Sequence, residues 1–230
     1  MKPNQITFKV SGRYALFTDP LTKIGGEKST LMIPTAEALI GITSGIYWKP
    51  SIKWRIISAT VLNEIKTESK GIRPIKYDGG NDLSYYTYLK DVSYLVTAQF
   101  EFNTLRDDLI DDFNEDKHYQ IAKRSLAKGG RRDVFLGVRE CQAYVEAPTG
   151  EEKSCYHDTE TMELGLMFHS FVYPDQSGKD ELEALFWRPT MEKGVINFCR
   201  QEDCKLRKFV KKMEKKDFRA EDITFAEDEL

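Results

Sequence analysis

Between Val92 and Phe102, Val92, Tyr94, Val96, Ala98, Phe100 and Phe102 alternate with Ser93, Leu95, Thr97, Gln99 and Glu101. Side chains repeat every two residues only along a β-strand, so this run predicts a strand with one face turned to a core. A chain with such a segment needs partner strands and a layer to cover the apolar face. Ile6, Phe8 and Val10 repeat the signal within 6–17. The β-branched stretch 52–65 follows the extended Lys49-Pro50 step, and Val134 to Val145 alternates again, with Arg139 and Glu140 on opposite faces.

Two segments have helical spacing. Pro34 reads as part of the first helical turn, followed by Ala36, Ala38, Leu39, Ile40, Ile42 and Ile46, in a helix that ends near Gly45 and delivers Tyr47 and Trp48. Asn114 can cap a second helix to about Lys128, with Ile121, Ala122 and Leu126 inward and Gly129-Gly130 closing it. Residues 71–80, with Pro74 and Asp78-Gly79, predict a loop. Strand, helix, strand, strand, helix, strand is the split βαβ order. The expected fold is therefore α+β, with a ferredoxin-like domain over residues 1–147, the architecture that RNA-recognition modules also use. Residues 148–230 form a smaller antiparallel β-rich part, with strands around 164–173 and 184–198, a charged helix near 206–214 and a tail.

A hydrophobic fraction of 40% and a charged fraction of 31% are those of a folded chain, and 230 residues can bury one substantial core plus a smaller one. No apolar run reaches the length of a membrane span and Met1 to Val10 does not read as a signal peptide, so a cytoplasmic protein is expected. The net charge of −3 counts against phosphate binding, but its distribution matters more. Acid gathers at Asp107, Asp108, Asp111, Asp112, Glu115 and Asp116, and again at Glu221, Asp222, Glu227, Asp228 and Glu229. Between them Lys117, Lys123, Arg124, Lys128, Arg131, Arg132 and Arg139 make a cationic stripe.

Cys141, Cys155, Cys199 and Cys204 contain no CxxC pair, which argues for buried free thiols and against a zinc ribbon. No cofactor and no metal are expected. The acidic run before the second helix reads as a solvated loop, which would repel nucleic acid, and Gly25-Gly26-Glu27-Lys28-Ser29 lacks the glycine spacing of a phosphate loop. His157 and His169 receive no role, and Lys205 to Lys216 reads as a solvated helix face.

Several segments together resemble one family: Ala38-Leu39-Ile40-Gly41-Ile42 leading into Ile46-Tyr47-Trp48-Lys49-Pro50, Tyr77-Asp78 with Asn81-Asp82, Leu89 to Tyr94, Lys117-His118, Phe135 to Glu140, and Leu164-Gly165-Leu166-Met167. The chain resembles the Cas-five proteins of CRISPR subtype I-C, in the repeat-associated superfamily, over nearly its whole length. It departs from them at Ser125 and at Leu83-Ser84-Tyr85-Tyr86.

The resemblance implies an endoribonuclease that cuts CRISPR repeat RNA and stays with the processed guide among the other subunits of a subtype I-C interference complex. It implies catalysis by Tyr47, Lys117 and His118. RNA binding is expected on the stripe, at Lys123, Arg124, Lys128, Arg131, Arg132 and Arg139, where duplex DNA could also bind non-specifically. RNA carries its own nucleophile, the 2′-hydroxyl, so cleavage without metal needs only proton transfer and charge stabilisation. Histidine, with a free pKa of about 6.5, and lysine suit those tasks. Two other readings stay open at this point. One is a non-catalytic subunit capping the 5′ end of a guide RNA; the other is a ferredoxin-like regulator that binds a small molecule.

Overall fold

A computed structural model describes residues 4–23 and 26–214. Gly25 and the acidic tail from Glu221 to Glu229 lie outside the described residues, as do Lys215 and Lys216. The first strand, β1 (Gln5–Ala15), buries Ile6, Phe8 and Val10. After the short helix α1 (Pro20–Lys23), α2 (Ala36–Ile46) starts on Thr35, whose hydroxyl accepts from the Ala38 amide. Then come β2 (Ile52–Val61), β3 (Lys66–Ile72) and β4 (Ser84–Phe102).

The alternating run of residues 92–102 is the second half of β4, with Val92, Tyr94, Val96, Ala98 and Phe100 buried. That half lies between β1 and β2, both antiparallel to it, while the first half pairs with β3. The strand expected over 52–65 therefore ends early: the chain leaves the ladder at Val61, opposite Tyr94, and re-enters as β3 only at Lys66, opposite Lys90. A bulge between Ile56 and Ser58 resets the phase, so that Ile52, Trp54 and Ile56, then Ala59 and Val61, all point inward.

The acidic run forms a 3-10 turn (Asp107–Asp112) before α3 (Glu115–Ala127), whose cap is Asn114 as expected. Next, the segment 134–145 is a hairpin and not a continuous strand: β5 (Val134–Phe135) and β6 (Gln142–Glu146) flank a turn. Gly137 causes the break. It has φ +91°, and a β-carbon there would lie 2.0 Å from the Leu16 carbonyl oxygen. Arg139 and Glu140 are therefore exposed turn residues instead of opposite faces of a strand.

The later strands are β7 (Met162–Glu163), β8 (Met167–Val172), β9 (Glu181–Trp187), β10 (Thr190–Glu192), β11 (Val195–Asn197) and β12 (Leu206–Lys212), with α4 (Pro174–Ser177) after β8. The expected charged helix at 206–214 is the strand β12. Pairing to β9 overrides the helical propensity of its lysines, and Lys212 faces Glu181 across the ladder. The large sheet runs β5-β6-β1-β4-β2-β11-β10-β7, with β3 also on β4; a second sheet runs β12-β9-β8. The fold is α+β, with an extensive antiparallel sheet and α2 and α3 as its two long helices. The helix α2 packs on β2, β5, β8 and α3, and α3 packs on β1 and β6. No helix among the described residues is long and apolar enough to cross a membrane.

Candidate active site

The end of α2 lies along α3, touching it from His118 near its start to Ser125 and the loop beyond its end. Tyr47 is the residue after α2, and Gly45, two residues earlier, accepts hydrogen bonds from the backbone amides of Arg131 (3.0 Å) and Arg132 (3.1 Å) in the loop that follows α3. Ser125 of α3 donates from its hydroxyl to the Ile46 carbonyl at 2.6 Å. These bonds satisfy carbonyls that the last turn of α2 would otherwise leave open, and they lock the loop after α3 to Tyr47.

Tyr47 is held at three points. Its amide donates to Thr43, its carbonyl accepts from the Trp54 indole at 2.7 Å, and its hydroxyl lies 2.8 Å from His118 Nδ1. On α3, His118 shares a line with Ala122 and Leu126, four and eight residues on, and all three are buried. The imidazole is 0% exposed, ringed by Tyr47, Phe100 and Phe102 with centroids 5.9–6.0 Å away. Its other nitrogen, Nε2, lies 2.8 Å from the Asp112 carbonyl oxygen. A carbonyl can only accept, so Nε2 carries the proton of the neutral ring, and Nδ1 is left to accept from the Tyr47 hydroxyl.

Asp112, dismissed as part of a solvated loop in the sequence, is the anchor of this network. Its carboxylate is ion-paired with Lys117, accepts from the Ser51 hydroxyl and lies 3.5 Å from His118 Nε2. The hydrogen bonds from Lys117 and then Ser51 hold its carboxyl below the usual range. Burial pushes the Tyr47 phenol above its ordinary value; Asp112 adds to that, and the Arg131 charge opposes it. Tyr47 therefore keeps its proton at neutral pH unless another group takes it. The Lys117 side chain stays half-exposed.

The residues named from sequence separate into two groups. Tyr47, Lys117 and His118 converge, although 71 residues separate the tyrosine from the histidine. Lys123, Arg124, Lys128, Arg131, Arg132 and Arg139 are all exposed, and among the described residues none of them forms an ion pair. Lys128, Arg131 and Arg132 line a groove of about 280 Å³ with Gly129, Gly130, Gln142 and the exposed Tyr144. Arg139 lies off that groove, in the β5–β6 turn.

Sequence reasoning missed Asp112 and Ser51, and read the cysteines too uniformly. Cys141 and Cys204 are buried, but Cys199 is only partly so and Cys155 is exposed. His169, which had no role, lies beside Cys199 and Cys204.

Comparison with known proteins agrees with the resemblance noted in the sequence. A curated relative from Thermus thermophilus, named CRISPR pre-crRNA endoribonuclease Cas5d, is 29% identical over 80% of this chain and 80% of its own. One of the same name from Mannheimia succiniciproducens is 28% identical over 84% of this chain and 94% of its own. A crystal structure of a CRISPR-associated protein superposes with a TM-score of 0.76 at 38% identity, over 89% of this chain and 96% of that one. A functionally uncharacterised protein from Streptococcus mutans gives 0.74 at 39%, with the same coverage. The family described as CRISPR-associated protein (Cas_Cas5), in its Cas5d form, matches residues 5–199, and the chain belongs to that family.

Proposed function

We propose that this chain is a metal-independent endoribonuclease that cuts CRISPR repeat RNA; its curated relatives carry the name CRISPR pre-crRNA endoribonuclease. The observation that carries the proposal is the 2.8 Å bond from the Tyr47 hydroxyl to the Nδ1 of a buried histidine, beside a row of unpaired cations. His118 has no exposed surface and Tyr47 is itself only 3% exposed, so in this reading the proton traffic with RNA runs through Tyr47 once the RNA opens a way to its hydroxyl. The phenol proton passes to Nδ1 as the phenolate oxygen takes the proton of the RNA 2′-hydroxyl. The 2′-oxygen then attacks the adjacent phosphorus, the bond to the 5′-oxygen breaks, and that oxygen takes a proton from solvent. The products are a 2′,3′-cyclic phosphate and a 5′-hydroxyl.

The other charges fit that path. The Asp112 carboxylate, 3.5 Å from Nε2, stabilises the imidazolium that forms. Lys117 has three donors and needs one for Asp112, which leaves two for the crowded phosphate oxygens of the transition state. The groove at Lys128, Arg131 and Arg132 would hold the RNA backbone next to Tyr47, because the amides of those arginines are bonded to the end of α2.

The scaffold in this reading is ferredoxin-like. Strands β6-β1-β4-β2 stand in that order, α2 joins β1 to β2, and α3 joins β4 to β6, which supports it. Retention of the guide, assembly with other subtype I-C subunits, and non-specific contact with duplex DNA belong to the same proposal.

The enclosure of His118 favours a second reading, in which the Tyr47–His118 bond only ties α2 to α3 and the chain caps a guide RNA without cutting it. Repeat RNA incubated with the purified chain in excess chelator separates the two. Cutting that stops with a single 2′-deoxy nucleotide at the scissile position, while affinity holds, is the enzyme's result. Tight binding without cutting is the capping subunit's. Activity that returns only with added Mg²⁺ would overturn the metal-free mechanism.

A further inference from the structure

Away from Tyr47 and His118, three metal-ligating side chains converge where the two sheets meet. His169 is on β8, Cys199 follows β11, and Cys204 precedes β12. One imidazole nitrogen and both sulfurs lie within 4.8 Å of one another, and the sulfurs are 3.6 Å apart. Two thiolates bound at 2.3 Å to a tetrahedral zinc stand about 3.8 Å apart. Four residues separate the cysteines, which is within the range that zinc sites use.

Spacing alone does not distinguish a metal site from a pair of packed thiols; three other features do. First, the Cys199 carbonyl, 3.1 Å from Nε2, can only accept, so Nε2 carries the proton of the neutral ring and the Nδ1 lone pair is the one a metal would take, in place of the Ser170 hydroxyl now 2.8 Å from it. A metal-ligating histidine needs such an oxygen partner on its non-ligating nitrogen, which fixes ring and tautomer. Second, the enclosure is dry and soft. His169 and Cys204 are buried, and Trp187 packs edge-on against the imidazole at 5.4 Å. Third, the hydrophobic cluster here has only Val172, Leu185 and Cys204 as buried members, and every residue of β12 is exposed. So small a core does not by itself fix a strand, and small cores are commonly stapled by a metal.

We propose that His169, Cys199 and Cys204 form a structural zinc site, whose fourth position falls to water, and that the ion pins the start of β12 to the end of β11. The site takes no part in the phosphate chemistry proposed above and stands or falls separately from it.

The test uses the full chain, purified without chelator and without a metal-affinity column, with zinc measured by mass spectrometry. About one zinc per chain is expected. The exposed Cys155→Ser control keeps it, and Cys204→Ser and His169→Ala lose it. Because those two variants could also unfold, cobalt(II) is titrated into metal-stripped wild type. Intense sulfur-to-cobalt charge transfer with tetrahedral ligand-field bands supports the site, as does slower proteolysis within β12 when metal is restored. Wild type that carries no zinc and shows no such bands overturns it. So does a Cys199–Cys204 disulfide in freshly isolated, metal-free protein.

Discussion

Tyr47→Phe removes one oxygen and keeps the ring, so it tests the proposed proton route with little change in shape. The lost hydroxyl leaves Nδ1 of a fully buried imidazole without a donor, which costs about 1–3 kcal/mol of stability. Against a typical folding free energy of about 5–15 kcal/mol, even the larger loss leaves more than about 95% of the chain folded. Unfolding therefore cannot lower a rate by more than a few per cent. If the phenol carries the proton, the single-turnover cleavage rate falls by about 10²–10⁴, or about 3–5 kcal/mol in the barrier. The assay is single-turnover cleavage of repeat RNA at saturating protein, with affinity measured on the 2′-deoxy substrate. A variant that cuts within about threefold of wild type refutes the route through Tyr47.

His118→Ala should slow cleavage at least as far, and its double with Tyr47→Phe should be no slower than the worse single, because the two act as one unit; single-turnover rates of all three give the cycle. Lys117→Ala should slow the chemical step with little change in affinity. It also frees Asp112, whose depressed carboxyl adds stability at neutral pH that is lost as pH falls through the folded value; acid-unfolding curves should show the variant less sensitive to acid. Arg131→Glu and Arg132→Glu should each weaken RNA binding and flatten its log–log salt dependence by about one unit, whereas Arg139→Glu, off the groove, changes both less. Glu37 is held above the usual carboxylate range, chiefly by burial, so the folded state binds its proton more tightly and stability falls as pH rises above about 4.5. Glu37→Gln should raise the melting temperature at pH 7 and leave it unchanged at pH 4, by calorimetry.

Much of the scaffold was legible because its signals are local. The period of two at 92–102 and the Asn114 cap depend on neighbouring residues, and those elements formed where expected, whereas the helix read as including Pro34 in its first turn starts at Ala36 on a Thr35 cap. The failures came where distant partners decide. Gly137 breaks the 134–145 segment because the Leu16 backbone lies against it, and β12 is a strand because β9 is beside it. Within the site, the enclosure of His118 was readable from its place in line with Ala122 and Leu126, whereas Asp112 was hidden in an acidic run whose other members look the same. Only the fold distinguishes them: Asp108 pairs locally with Arg106, and Asp112 reaches across to Lys117 and Ser51. The cysteines were misjudged as well. All four were read as buried alike, whereas Cys155 is exposed and Cys199 only partly buried, a difference set by what packs against each in the fold.

The position of the site follows from the connections rather than from any single motif. Two helices cross the same sheet, and both must return the chain to a strand, so the end of α2 and the start of α3 fall near each other where Trp54 of β2 and Phe100 and Phe102 of β4 supply the walls. A polar bond at that junction is buried by the helices' own packing, which explains why His118 has no exposed surface. Cations cannot be buried there without partners. They collect instead on the first solvated turn beyond α3, which the Gly45 carbonyl holds within electrostatic reach of the Tyr47 phenol. The enclosed Tyr47–His118 bond and the exposed cationic edge are thus two consequences of one helix junction. Loosening it at Ser125→Ala, which removes only the bond to Ile46, should lower cleavage and RNA affinity together, whereas changes at Tyr47 lower cleavage alone.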